Sequence, residues 1–241
     1  STNVALVMTG NTVTNITRSA TTGAFNGIRA TGTALASSNL SNNTLSNISL
    51  TATSTIFSGI THAGSSSSTS SLAMNSNTVN NCVMTGTGTM TLMDAGNAVT
   101  TNMNLNTITN NQKTGASGTM YCARTSVAAV TFNGNTITGN SIPSTTGATL
   151  SAIYGYYQSS SATAENLTNN NINTLTIGGA GTSTSSIITA IYTNPLTTTT
   201  KDVSGNTIHT LSISVPGTVR GIDNVSGATV NIFKNKIYDL S

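Results

Sequence analysis

Residues 131–140 read TFNGNTITGN, residues 203–211 read VSGNTIHTL and residues 230–240 read VNIFKNKIYDL. Superposed on Asn135, Asn206 and Asn235, they share an apolar residue three positions before the asparagine and another two positions after it. The same unit, apolar-x-x-Asn-x-apolar, recurs eight times, on Asn11, Asn43, Asn77, Asn106, Asn135, Asn170, Asn206 and Asn235. The spacings run from 29 to 36 residues. The preceding column is Met8, Leu40, Met74, Met103, Phe132, Leu167, Val203 and Ile232. The following column is Val13, Leu45, Val79, Ile108, Ile137, Ile172, Ile208 and Ile237. All sixteen are apolar in a chain that is 36% apolar, and chance would give this about 10⁻⁷ of the time. A weaker column runs in phase five residues after each asparagine: Ile16, Ile48, Cys82, Asn111, Asn140, Leu175, Leu211 and Leu240. Another, 16 to 21 residues after it, holds Ile28, Ile60, Met93, Cys122, Ile153, Ile191 and Ile222. Length varies between columns, in stretches such as Gly64 to Ser71 and Thr197 to Thr200, which read as loops.

Short alternating segments rich in Thr, Val and Ile, bounded by Asn and Gly, are strand signals, and helical periodicity is missing. One unit cannot bury its apolar face alone, whereas stacked units can. Parallel stacking sets like residues about 4.8 Å apart, one over the next. The chain is therefore expected to be all-β, a single-stranded parallel β-helix (solenoid) of about 7–8 coils of 29–36 residues. It forms one domain over residues 1–241. Parity places the corners. Inward residues on one strand differ by even numbers, yet the two apolar columns are five apart, so the chain bends between them, with the asparagine itself as the expected corner. Asparagine tolerates the left-handed backbone region, and its amide can bond to the asparagines above and below in a ladder. A second corner is expected four residues after it, at Asn15, Asn47, Asn81, Asn110, Gly139, Thr174, Thr210 and Asp239.

Composition excludes several classes. There are 49 threonines, 32 serines and 31 asparagines, but only 5% of residues are charged and the net charge is +3. Disordered chains combine low hydrophobicity with high charge. No Lys/Arg-rich window offers a footprint for nucleic acid, and Lys234 and Lys236, the densest basic pair, read as solvated. No apolar run is long enough to span a membrane. Ser1 is preceded by no Met and no signal-peptide pattern follows it, so a processed product or a segment of a longer chain or stacked assembly is expected.

The quoted units resemble right-handed parallel β-helix repeats of very large secreted surface proteins of Bacteroidota-type bacteria, over essentially all 241 residues. The resemblance implies a right-handed coil at the cell surface or outside the cell. β-Helices host enzymes, adhesins and passive stalks alike, so function has to come from side chains.

Glycoside hydrolysis needs paired carboxylates. The acids here are Asp94, Glu165, Asp202, Asp223 and Asp239. Asp94 and Asp223 fall in one column but four coils apart, and Glu165 is expected to pair with Lys201 in the adjacent coil. His62 and His209 lack partners at metal-ligand spacing, no Gly-x-Ser-x-Gly elbow occurs, and Cys82 and Cys122 read as buried thiols. No catalytic residue, cofactor or metal site is assigned, and no enzyme is expected. Two surface arrays remain. Thr12, Thr14, Thr44, Thr107, Thr109, Thr136 and Thr138 belong to a Thr-x-Thr face that resembles the arrays of β-solenoid ice-binding proteins. Tyr154 and Tyr192, after Ile153 and Ile191, form an aromatic pair that a sugar ring could use. The leading expectation is a non-catalytic structural and adhesive stalk or filament-forming segment. Its partners are neighbouring coils of the same or identical chains, and then surface glycans. Ice binding and polysaccharide binding or degradation are the alternatives.

Overall fold

The computed structural model describes residues 4–19, 22–32, 35–51, 54–64, 66–96, 98–115, 118–145, 150–160, 162–182, 185–193, 200–225 and 227–241. These residues form strands and no helix. Every pairing is parallel, and the strands fall into three sheets of eight, eleven and seven. The chain visits the sheets in rotation, so each turn adds one rung to all three, and the fold is a parallel β-solenoid. The seven strands of the third sheet make six steps, so the three-sided stack climbs about six turns. That is slightly fewer than counting asparagines suggests, because among the described residues the coil of Asn235 has two sides only.

The eight asparagines stack as expected. Each Oδ1 accepts from both the backbone N–H and Nδ2 of the asparagine one turn earlier, through seven consecutive steps at 2.8–3.2 Å. In Asn43, Asn135, Asn170, Asn206 and Asn235 the other Nδ2 proton goes to a main-chain carbonyl, as from Asn135 to Met103 and from Asn206 to Leu167. Asn43, Asn77, Asn106, Asn135, Asn170 and Asn206 are buried. A buried polar group is tolerable only when its hydrogen bonds are made, and a primary amide supplies acceptor and donor together.

The first corner is displaced by one residue from its expected place. The left-handed residue is the one before the ladder asparagine: Gly10, Asn42, Ser76, Leu105, Gly134, Asn169, Gly205 and Lys234, all with φ between 54° and 69°. That turn swings the next side chain inward, which is why the asparagine is buried and not at the outer bend. The second corner falls where parity put it: all eight residues four after the asparagine have φ between 51° and 68°.

The register puts like over like. Val13, Leu45, Val79, Ile108, Ile137, Ile172, Ile208 and Ile237 pair in sequence along the second sheet. Phe132, Leu167, Val203 and Ile232 do so in the first. The interior is a continuous apolar column from Phe25 to Val215. Two expectations shift. The run at 64–71 is strand from Ser66, paired with the coils on both sides; Thr197–Thr199 lie outside the described residues. In the third sheet the true columns are Ile28–Ile60–Met93–Ala123–Tyr156–Ile191–Ile222 and Phe25–Phe57–Met90–Met120–Ile153–Ile188–Val219. Cys122 and Ile153 therefore do not share the column assigned to them. Consecutive residues, such as Leu92 with Met93 and Cys122 with Ala123, are both buried there, so simple alternation fails.

One interior cation was not foreseen. Lys113 is fully buried, and its Nζ donates to the carbonyl of Gly86 at 2.7 Å. Burial lowers its pKa from 10.5 to about 8. Between those values the unfolded chain holds the proton and the folded chain does not, so unfolding free energy should rise as pH goes from about 8 to 10.5. The gain is on the order of 3 kcal/mol. Urea titrations across that window check it, and Lys113→Met should flatten the rise.

Candidate functional site

The second sheet carries the threonine face. Thr12, Thr44, Thr78, Thr107, Thr136, Asn171, Thr207 and Lys236 lie in one column; Thr14, Ser46, Asn80, Thr109, Thr138, Asn173, His209 and Tyr238 lie two residues on in a second. The two columns flank the buried Val/Leu/Ile column, so alternation sends them outward. Within the face, the hydroxyls of Thr14 and Ser46 are 2.9 Å apart, and the Thr138 hydroxyl donates to Asn173 Oδ1. The threonine array is interrupted at Asn171 and Asn173 and resumes only at Thr207 of the first column, and at His209 and Tyr238 the second column becomes aromatic, with rings stacked at 4.8 Å and 7°.

The outer surface of the third sheet holds four tyrosines. The sequence drew attention to Tyr154 and Tyr192, but these two are not stacked on each other: their centroids are 6.1 Å apart at 73°. The register sets Tyr154 over Tyr121 and Tyr192 over Tyr157. Tyr121–Tyr154 stack at 5.4 Å and 16°, Tyr157–Tyr192 at 4.9 Å and 14°. A ring face already covered at that distance is not open to a sugar, so what the cluster offers outward is ring edges and hydroxyls. The Arg124 guanidinium lies 5.7 Å from the Tyr121 centroid. Burial and the neighbouring tyrosines push the Tyr154 phenol up to about 12.

The carboxylates are dispersed. Asp94 and Asp223 do share a column, separated by Arg124, Tyr157 and Tyr192. Each has its own arginine: Arg124 Nη2 is 3.0 Å from Asp94, and Arg220 Nη1 is 3.1 Å from Asp223. His62 is buried, bonded to the Gly96 carbonyl at 2.7 Å and to Ser38 Oγ at 3.2 Å. No group of three His, Cys, Asp or Glu positioned to hold a metal ion occurs among the described residues. Cys82 and Cys122 are buried free thiols; burial pushes Cys82 up to about 12 and Cys122 higher still. A concavity of about 250 Å³ lies on the first sheet around Ser37, Ser71 and Asn102, and no residue lining it is titratable.

The expected Glu165–Lys201 pair is present, but it lies inside the coil, with polar partners that sequence reading missed. Glu165 and Lys201 sit on adjacent rungs, as their equal offsets from Asn170 and Asn206 require. They point inward, with Nζ 3.7 Å from Oε2 and both side chains without solvent exposure. Tyr156 donates to Glu165 Oε1 at 3.2 Å and lies 3.2 Å from the Thr125 hydroxyl, which also bonds Gln158. On the other side, Lys201 Nζ donates to Thr193 Oγ1 at 2.9 Å and to Asn224 Oδ1 at 3.0 Å. Burial raises Glu165 to about 7 against the pull of Lys201, and it lowers Lys201. Single polar residues in otherwise apolar columns gave no warning; only the in-phase offset of a Glu and a Lys marked the pair.

Compared with protein-family models, with curated proteins and with solved structures, the chain matches none.

Proposed function

We propose that this chain is a non-catalytic structural and adhesive β-helix, a stalk or filament-forming segment of a bacterial surface or secreted protein. The observation that carries the reading is the stack itself: every turn pairs in parallel with the next through all three sheets, like residues over like. Further turns of the same or an identical chain can add by that same pairing, which is how strand edges template association. Ile237 continues the Val/Leu/Ile column of the second sheet and is 42% exposed. The repeats support an extracellular setting through their resemblance to Bacteroidota-type surface proteins. The sparsely charged Thr/Ser/Asn exterior fits a rod that meets solvent on all sides.

A second reading rests on the threonine columns, whose alignment over five coils suits ordered water; it is ice binding, and thermal hysteresis abolished by Thr107→Lys would establish it in place of the first. For the first reading, light scattering at rising concentration should show end-to-end association of the 241-residue chain, and Ile237→Lys should suppress it. A monomer that persists at high concentration would overturn it.

A further inference from the structure

Four groups meet between two rungs of the first sheet and two of the third: the buried amine of Lys201, carboxyl of Glu165 and hydroxyl of Thr193, and the half-buried carboxamide of Asn224. Register explains the meeting, since Glu165 pairs with Lys201 and Thr193 with Asn224. Lys201 Nζ lies 3.0 Å from Asn224 Oδ1. Thr193 Oγ1 donates to that same oxygen at 2.8 Å. Glu165 Oε2 lies 3.7 Å from Nζ and accepts no hydrogen bond among the described residues, although it is buried. An amine held in contact with an amide, with a hydroxyl on the amide oxygen and a proton carrier alongside, is the arrangement that amine attack on an amide requires.

We propose that Lys201 and Asn224 become joined, within the folded chain, by an intramolecular isopeptide bond, with Glu165 carrying protons and Thr193 holding the developing oxyanion. The lysine ammonium first gives a proton to the Glu165 carboxylate, leaving a neutral amine. Its lone pair attacks Cγ of Asn224 after rotation about Cβ–Cγ turns the carbonyl face toward it, and the carbonyl π pair moves onto Oδ1. The Thr193 hydroxyl already points at that oxygen. The Glu165 carboxylic acid then protonates Nδ2, the C–Nδ2 bond breaks, and ammonia leaves as the carbonyl reforms. Glu165 takes the remaining excess proton from Nζ. The sum is lysine ammonium, asparagine carboxamide and glutamate carboxylate going to a secondary amide, ammonia and glutamic acid. No oxidant or cofactor enters. Burial favours the neutral amine and carboxylic acid that the first proton transfer produces, since it lowers the lysine and raises the glutamate, and a desolvated lysine is the nucleophilic one. The bond ties the strand Thr200–Ser204 to the strand Gly217–Asn224.

Mass spectrometry of the whole unfolded chain tests this. The expected mass is that of the sequence less one ammonia. Trypsin should leave the chain uncut after Lys201 and release a branched peptide joining the Lys201 segment to residues 221–234. Glu165→Gln, which keeps the side-chain shape but cannot cycle a proton, should show the full mass and normal cleavage. A wild-type chain of full mass that is cut after Lys201 would overturn the proposal, and this result does not depend on any variant folding. Ammonia loss without the branched peptide marks an asparagine succinimide and also overturns it. A bond that persists in Glu165→Gln removes Glu165 from the mechanism.

Discussion

Asn106→Leu should lower the free energy of unfolding by about 3–5 kcal/mol, more than the change in side-chain size would suggest. In the folded chain Asn106 Oδ1 accepts from Asn77 N at 2.8 Å and from Asn77 Nδ2 at 3.1 Å, while its own Nδ2 donates to Asn135 Oδ1 at 2.9 Å. Leucine removes the acceptor and leaves two donors of Asn77 unmatched where Asn77 is 1% exposed. Each orphaned buried group costs about 1–3 kcal/mol, and the apolar area leucine adds offsets part of that. Asn135 keeps one of its two donors, the backbone N–H of Asn106 at 2.9 Å, so the damage is directional, toward the preceding coil. Chemical denaturation of both chains measures the loss. Hydrogen exchange should show the Asn77 amide losing protection while the Asn135 amide, which donates to Asn170, keeps it. A neutral result would mean that the ladder is an ornament of the corner and not its support.

The repeat was readable because parallel stacking asks the same question of the chain at every turn. A column answers with one residue type, and eight answers in phase outweigh the noise of a composition dominated by Thr, Ser and Asn. That gave the ladder, the two apolar columns and the second corner residue by residue. The first corner was misplaced by one because two features share it. The left-handed turn, taken by a mixed column of Gly, Asn, Ser, Leu and Lys, sits beside an invariant asparagine that suits such a turn equally well but is there for its amide. The third sheet was less legible because successive buried residues break the period of two. The interior polar network was the least legible part. Lys113 and Lys201 look like surface residues by type, and only coordinates show Nζ of each turned into the coil. The tyrosine pair was half visible: the two rings named from sequence do lie close, but their stacking partners, Tyr121 and Tyr157, belong to columns that the mistaken register had shifted.

That same break in period makes Gly59→Ala the second large effect, a loss of about 3–4 kcal/mol for one methyl group. Ser58 and Ile60 pair with Thr91 and Met93, so Gly59 faces Leu92. A Cβ built on Gly59 would stand 2.2 Å from the Leu92 carbonyl oxygen and 3.3 Å from a Leu45 methyl. Neither neighbour can yield cheaply. The carbonyl belongs to the next rung, whose backbone is fixed by the strands on either side, and Leu45 is fully buried. Overpacking of a dense interior usually costs about 1–3 kcal/mol, and contact with backbone in place of a flexible side-chain end puts this site above that range. The effect is not a matter of backbone angle, because Gly59 has no positive φ. Gly10, with φ +69 and nothing within 4 Å of an added Cβ, provides the contrast: Gly10→Ala should cost no more than about 1–2 kcal/mol, from the left-handed backbone alone. Paired thermal and urea unfolding of the two variants separates the causes. If Gly10→Ala proved the more damaging, close approach between rungs would not be what glycine supplies in the third sheet.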